Sequence, residues 1–119
     1  MDKLRLRDAI LDRLKHDLAN LTRSLSLAIE AVQKRGKSEP GQKTMLDVLA
    51  PVLDELAQGD GGLADRVKRR AFSAAEATIP MRATRGRASF LGDRSIGHMD
   101  PGARSCALMI GKTCEILGG

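Results

Sequence analysis

The sequence predicts an all-α protein, an antiparallel bundle of about four helices. Aromatic residues are nearly absent, with two Phe and no Trp or Tyr, while leucine, alanine and methionine supply the apolar content. Apolar residues recur at spacings of three and four, and Gly- and Pro-rich turns separate these stretches. With 119 residues, the chain is expected to form one domain.

The first predicted helix spans about residues 2–34 and carries a long apolar stripe, in which Arg7 is the one exception. The stripe consists of Leu4, Leu11, Leu14, Leu18, Leu21, Leu25, Ala28 and Val32. It suits core packing within the domain, which we expect, but its 3.5-residue repeat also suits a seam between two chains. Gly36, followed by Pro40, predicts the end of this helix.

The second predicted helix covers about residues 42–58. Pro51 is expected to kink or briefly break it, because proline lacks a backbone donor. A glycine-rich turn at 59–62 leads to a third helix at 63–78, whose alanines allow close helix packing. The residues of the third helix predicted to face inward are Val67, Ala71, Ala74, Ala75 and Thr78.

The fourth predicted helix spans about residues 101–117, because Asp100 suits an N-cap and Pro101 suits the first helical position. Before it lies the loop Met81–Gly102, which holds four arginines and four glycines. Glycines let backbone N–H groups approach a ligand, and guanidinium groups offer planar donor forks. With a helix N-terminus behind them, these residues indicate an anion site, and phosphate is the anion we expect.

The alternative for this loop is that its arginines are solvated or pair with Asp93 and Asp100. The formal charge of +5 permits acidic partners without choosing among them. Nucleic acid is not favoured, because stacking aromatics are scarce and no helix-turn-helix or zinc-finger spacing is present. No signal peptide and no apolar run of about 18 residues is visible, so we expect a cytoplasmic protein with no membrane segment.

Several known motifs fail on spacing. The Gly-Lys-Thr at 111–113 lacks the first glycine of a Walker A loop, and the stretch that starts at Gly36 has one residue too many. The glycines of the loop do not fit the dinucleotide fingerprint. Ser95, His98 and Asp100 stand too close in sequence to converge as a catalytic group. No catalytic residue and no metal ligand is therefore assigned.

Two sequence blocks carry a family resemblance. The first is RGKSEPGQKTM at 35–45, and the second is GRASFLGDRSIGHMDPGA at 86–103. Both closely resemble the nucleotide-binding subunit or domain of dihydroxyacetone kinases, the DhaL type, and they stand in the family's order. The resemblance covers about residues 28–117 well and the first helix weakly.

The resemblance implies an antiparallel eight-helix barrel that binds ADP or ATP, with magnesium, at one end. This chain would supply about four of those helices. The implied cofactor-binding residues are Gly36, Met45, Arg87, Asp100, Pro101 and Gly102, with Thr44, Gly86 and Ser89 as further candidates. Among them, Gly36 and Met45 would border the adenine and ribose, and Arg87 would contact the phosphates.

Family members begin with about another half-domain, which carries an aspartate cluster for magnesium and a phosphate-binding loop. This sequence shows neither, so residues 1–119 are predicted to form a single truncated domain in which 35–119 match the nucleotide-site half. Because magnesium is central to phosphoryl transfer, the chain alone is expected to lack full transfer to dihydroxyacetone.

The resemblance also implies partners: a substrate-binding kinase subunit or a regulator. The alternative function is a non-catalytic interaction or regulatory module that uses its leucine-rich helix to self-associate or to bind a partner. A homo-oligomer is therefore expected.

Overall fold

The computed structural model describes residues 2–59 and 61–118 as five helices joined by turns. The four α-helices are α1 (Lys3–Gly36), α2 (Leu46–Gln58), α3 (Leu63–Ala77) and α4 (Pro101–Gly118), and a 3₁₀ segment covers Arg87–Ser95. None of these described residues lies in a strand. The predicted all-α class is confirmed.

The core lies where α2, α3 and α4 pack together. It is built from small and β-branched side chains: Val48, Val52, Val67, Ala71, Ala74, Ala75, Ala103 and Ala107. Small residues bring α3 and α4 close, and a Cβ added at Gly111 would lie 2.7 Å from Cε2 of Phe72. The five residues predicted to face inward on the third helix are all buried, including Thr78 just after its end.

Among the described helices, α1 packs against α2 alone. Leu25 contacts the core and Ile29 is buried, whereas every residue from Asp2 to Asp17 is exposed. The molecule measures 62 × 27 × 18 Å, and its radius of gyration of 16.8 Å exceeds the value of about 13–14 Å for a compact chain of this length. The long helix is confirmed, but the first half of its stripe is not core. No helix within the described ranges has the length and apolarity to cross a membrane.

The end of α1 differs from the prediction. The helix runs through Gly36, and the left-handed residue is Lys37, with φ of +50°. The N–H groups of Lys37 and Ser38 both donate to the carbonyl of Gln33, which closes the helix without a left-handed glycine.

The start of α2 also differs, because it lies at Leu46 rather than near residue 42. The carboxylate of Asp47 accepts from the N–H groups of Gly41 (2.6 Å) and Thr44 (2.9 Å), so these donors are held in a loop instead of a helical turn. Pro51 lies inside α2, and the helix is continuous through it, so the predicted break is absent from this described segment.

The loop before α4 contains the 3₁₀ segment, which no sequence pattern indicates. Two short turns meet at Gly92, where φ is +56° and ψ is −127°. This conformation is open to glycine and strained for other residues. The loop is therefore folded back on itself rather than extended.

Candidate functional site

A buried lysine joins the segments that carry the candidate residues. Lys43, in the loop before α2, is only 2% exposed. Its Nζ donates to the carbonyl oxygens of Ile79 (3.2 Å), Met81 (3.0 Å) and Ser95 (2.5 Å). Three oxygens replace the water that the ammonium loses, which makes its burial tolerable. Lys43 thus fixes this loop against the turn after α3 and the end of the 3₁₀ segment.

Further hydrogen bonds hold the arginine-rich loop in place. The N–H of Thr84 donates to the carbonyl of Gln42 at 3.3 Å, beside Lys43. Ser95 is buried, and its Oγ accepts from the N–H of Ala83 at 2.9 Å while donating to the carbonyl of Gly92 at 2.7 Å. Ser95 therefore has a structural role.

Asp100 organises the start of α4. Its Oδ2 accepts from the N–H of Ala103 at 2.9 Å, so the predicted N-cap is confirmed. The Asp100 N–H donates to Oγ1 of Thr78 at 3.0 Å, which ties the cap to the end of α3. Pro101 has no N–H, and within the described hydrogen bonds the N–H of Gly102 has no partner. One backbone donor at this helix start is free for a ligand.

The start of α4 lies against the start of α2. A Cβ added at Gly102 would lie 3.6 Å from both N and Cβ of Met45, and 3.2 Å from Oδ2 of Asp100. Thr44 precedes Met45 and accepts from the N–H of Leu46 through Oγ1 at 3.2 Å. The structure therefore brings Thr44, Met45, Asp100 and Gly102 together, although they come from two distant sequence blocks.

The remaining candidates are less closely joined. Gly86 has φ of +79°, and its carbonyl accepts from both N–H (3.2 Å) and Oγ (2.6 Å) of Ser89. The side chain of Arg87 lies outside what the structure describes. Gly36 ends α1, where an added Cβ would meet Ser38 Oγ at 3.2 Å. The described hydrogen bonds link Gly86 and Ser89 to each other. None of these bonds reaches the group formed by Thr44, Met45, Asp100 and Gly102, which we call the Met45 cluster.

The arginines of the loop agree in part with each of the two alternatives that the sequence leaves open, namely an anion site and surface arginines that are solvated or paired with aspartates. Arg82 pairs with Asp93 at 3.3 Å on the surface, as the solvated alternative predicts. Asp100 caps α4 and forms no ion pair within the described residues. Arg85 and Arg94 are exposed and remain available to an anion. Burial, with a smaller effect from the charge of Asp100, raises the pKa of the Cys106 thiol, so this group stays protonated at neutral pH.

A group of side chains that could hold magnesium is not found among the described residues. Across 2–59 and 61–118, no three His, Cys, Asp or Glu side chains are grouped closely enough to hold a metal ion. Two carboxylates lie at the convergent residues, and both are engaged: Oδ2 of Asp100 caps α4, and Oδ2 of Asp47 accepts from the N–H of Thr44 at 2.9 Å. Magnesium in this kind of site would need ligands from elsewhere.

Taken together, these features define a helical-bundle domain with a candidate ligand site built from loops and helix starts. The DAK2 domain family model matches residues 4–115. The chain belongs to the DAK2 domain family. The match includes the first helix, which the two sequence blocks do not cover.

Curated relatives agree with this assignment. The chain is 48% identical over 93 residues to the ADP-binding subunit DhaL of PEP-dependent dihydroxyacetone kinase 1 from Listeria innocua, which covers 78% of this chain and 44% of the relative. It is 49% identical over 87 residues to the Escherichia coli ADP-binding subunit DhaL, covering 68% and 41%. Human triokinase/FMN cyclase is 35% identical over 109 residues, covering 87% and 19%. The chain thus spans less than half the length of these relatives.

Proposed function

We propose that this chain binds ADP or ATP and forms the half of a DhaL-type site that contacts the nucleotide. The observation that carries the proposal is the contact between Gly102 and Met45. It joins the two blocks that resemble the family's nucleotide site, and the relatives at 48% and 49% identity are named as ADP-binding subunits.

The Met45 cluster suits the adenosine part of the nucleotide. The carboxylate of Asp100 already satisfies a helix N–H and brings a negative charge, which disfavours phosphate at the same point. A carboxylate with one free oxygen instead accepts from a ribose hydroxyl or an adenine amino group. Met45 is partly exposed and offers apolar surface to the base, while Gly102 keeps the approach open.

The arginine-rich loop suits the phosphates. Gly86 has the positive φ that lets a backbone approach a ligand, and the 3₁₀ segment begins at Arg87. Arg85 and Arg94 are exposed nearby in sequence and add positive charge. We assign Arg87 to the phosphates on the family resemblance, since a guanidinium binds phosphate oxygens in a bidentate manner.

The chain by itself is proposed to bind nucleotide without completing phosphoryl transfer. Magnesium, which would need ligands beyond the described residues, would neutralise negative charge on the phosphates in such a reaction. Within 2–59 and 61–118, no three His, Cys, Asp or Glu side chains are grouped to take the place of the aspartates that the resemblance leads us to expect. Transfer to dihydroxyacetone would need those ligands and a substrate-binding subunit as partners, in the cytoplasm where nucleotides are abundant.

A calorimetric titration with ADP tests this function. Wild-type chain should release or absorb heat that saturates, and Arg87→Ala should weaken binding by about tenfold or more because a charge-assisted contact is lost. Arg70→Ala, an exposed arginine of α3, is the matched control and should change affinity little. If ADP binding is unmeasurable, or if both variants behave alike, the proposed site is wrong.

A second candidate function is a non-catalytic interaction module. The uncovered leucines in the first half of α1 favour it, because a soluble helix does not retain a continuous apolar stripe without a partner surface. This role does not depend on nucleotide binding.

A further inference from the structure

Lys43 is held in a position that is unfavourable in two ways. Its side chain is 2% exposed, and its backbone has φ of +62°, in the left-handed region that a residue with a Cβ rarely adopts. The described ion pairs do not include Lys43, so its positive charge is buried without a carboxylate partner. Strained backbone of this kind persists where the surrounding structure fixes it, and it is frequent at ligand sites.

The carbonyls that accept from Nζ of Lys43 lie on both sides of the arginine-rich loop. Ile79 and Met81 precede the first arginine of the loop, and Ser95 follows the last. Because one nitrogen binds oxygens from both sides, the chain that enters the loop and the chain that leaves it are held next to each other. We call these two sides, residues 79–83 and 93–97, the neck of the loop.

Two further hydrogen bonds close the same neck. The N–H of Gly97 donates to the carbonyl of Ile79 at 2.7 Å, and the N–H of Ala83 donates to Oγ of Ser95 at 2.9 Å. Residues 84–92 between the two sides therefore form a compact loop with closed ends, a type that often carries function. The neck sets the direction in which this loop leaves the domain.

The backbone of Lys43 belongs to the other part of the proposed site. Thr44 and Met45 follow it directly, and both are members of the Met45 cluster, which we assign to the adenosine. The carboxylate of Asp47 holds this segment through the N–H groups of Gly41 (2.6 Å) and Thr44 (2.9 Å). These bonds do not involve the ammonium of Lys43, so the segment keeps its own support when that charge is removed.

We infer that Lys43 is a positioning residue that fixes the phosphate-binding loop relative to the Met45 cluster, and so makes the site prefer a nucleoside diphosphate to its nucleoside. The inference rests on the proposed function. An ammonium has three N–H donors, and three carbonyls use them, so Lys43 acts through the neck and not by contact with the ligand. Without it the neck can open, and the groups that bind phosphate are no longer preorganised.

Titrations of the full chain with ADP and with adenosine, followed by nuclear magnetic resonance at the Met45 amide, test the inference. Wild-type chain should bind ADP at least about tenfold more tightly than adenosine. Lys43→Met keeps a side chain of similar shape without the charge. Its affinity for ADP should fall by about tenfold or more, while its affinity for adenosine should change by less than about twofold. The ratio of the two affinities is the readout, because partial unfolding lowers both affinities alike.

Ser95→Ala is a second, milder variant of the neck. It removes the hydroxyl that binds Ala83 but keeps the carbonyl that accepts from Lys43. The ratio of ADP to adenosine affinity should fall in the same direction, by about threefold. Circular dichroism checks that each variant is folded, and Ser95→Ala provides the test if Lys43→Met is not.

Thr78→Val is the matched control. Thr78 is fully buried, and its hydroxyl accepts from the N–H of Asp100 at 3.0 Å, outside the neck. This variant also loses a buried hydrogen bond, and it should keep the wild-type ratio of ADP to adenosine affinity.

The outcomes separate the inference from the proposed function. Wild-type chain that does not bind ADP would overturn both, and equal affinities for ADP and adenosine would overturn the assignment of the loop to phosphate together with the inference. If wild-type chain prefers ADP but Lys43→Met weakens both ligands by the same factor, the inference is wrong and the proposed function stands. The same conclusion follows if Thr78→Val lowers the ratio as much, or if Lys43→Met is unfolded and Ser95→Ala keeps the wild-type ratio.

Discussion

The two ends of α1 belong to differently built regions. At its C-terminal end, polar groups are buried and satisfied: Lys43 binds three carbonyls, and Asp100 caps α4. In its N-terminal half, apolar side chains such as Leu14 are exposed to solvent instead of being buried. Burying polar groups and exposing apolar ones both cost free energy. The buried polar groups and the exposed apolar groups therefore each indicate a role beyond stabilising the core.

The difference separates two kinds of function. A buried polar network holds backbone segments in one geometry, as a ligand site requires. An exposed apolar stripe on a regular helix needs no such precision and suits association. The predictions below begin with buried polar groups near the C-terminal end of α1 and end with an ion pair on the surface.

Replacing the buried lysine should have the largest effect. Lys43→Met removes a charged donor and leaves the carbonyls of Ile79, Met81 and Ser95 without it, which should lower the free energy of unfolding by about 2–4 kcal/mol. Urea denaturation measures the change. Lys34→Met, an exposed lysine of α1, is the control and should stay within about 0.5 kcal/mol. Equal values for the two variants would show that Lys43 is not a structural clamp.

Removing the helix cap should have the next largest effect. Asp100→Ala leaves the N–H of Ala103 without its acceptor and should destabilise the chain by about 1–2 kcal/mol. Asp100→Asn keeps an acceptor oxygen and should recover most of the loss. Asp93→Ala removes only the surface pair with Arg82 and should cost under about 1 kcal/mol. Thermal denaturation of the three variants compares them, and an equal loss for Asp93→Ala would contradict the special role of the cap.

Filling the approach to the cluster should affect binding more than stability. Gly102→Ala places a methyl group 3.2 Å from Oδ2 of Asp100 and 3.6 Å from Met45, where the proposed ribose or base approaches. We expect ADP affinity to fall about tenfold or more, while the free energy of unfolding changes by less than about 1 kcal/mol. Ser105→Ala, exposed on the same helix, is the control. Unchanged ADP affinity in Gly102→Ala would place the ligand elsewhere.

The smallest expected effect concerns pH and the surface between α3 and α4. The hydrogen bond of 2.6 Å from Lys68, with its charge, lowers the pKa of Glu115. The pair therefore stabilises the fold above the ordinary pKa of a glutamate, and this is lost as pH falls through the lowered value. The same hydrogen bond raises the pKa of Lys68, so the pair persists until pH exceeds the ordinary range of lysine.

Glu115→Gln should accordingly reduce the fall in Tm between pH 7 and acidic pH by a small amount, because the pair is exposed and screened by salt. Glu76→Gln, an exposed carboxylate of α3 outside the described ion pairs, serves as the control and should follow wild type. A wild-type pH profile in Glu115→Gln would show that this pair does not link the helices measurably.

Local sequence patterns predict where the helices lie. Contacts between residues distant in sequence determine where burial and helix boundaries differ from that prediction. The spacing of Val67 and Ala71 predicts the buried side of α3, and the pair Asp100-Pro101 predicts the start of α4. No local pattern predicts the burial of Lys43, because its three carbonyl partners come from distant positions. The carboxylate of Asp47 likewise delays the start of α2 through contacts that propensity does not encode.

The candidate site shows the same division. The resemblance of two blocks predicts Met45 and Gly102 as site residues, but only the folded chain brings them together, so that a Cβ added at Gly102 would lie 3.6 Å from the backbone N of Met45. The leucine stripe predicts burial equally for Leu14 and Leu25, and the periodicity does not show where α2 stops. The assignment of all nine residues to a nucleotide site stays a prediction: Gly36, Thr44, Met45, Gly86, Arg87, Ser89, Asp100, Pro101 and Gly102.

Nuclear magnetic resonance of isotope-labelled chain during titration with ADP tests the contrast between the two regions most directly. The account predicts that amide signals of Thr44, Met45, Gly86 and Gly102 shift together and saturate, while those of residues 3–17 stay in place. Saturating shifts confined to residues 3–17, or no shifts at any ADP concentration, would contradict a nucleotide site at the polar end.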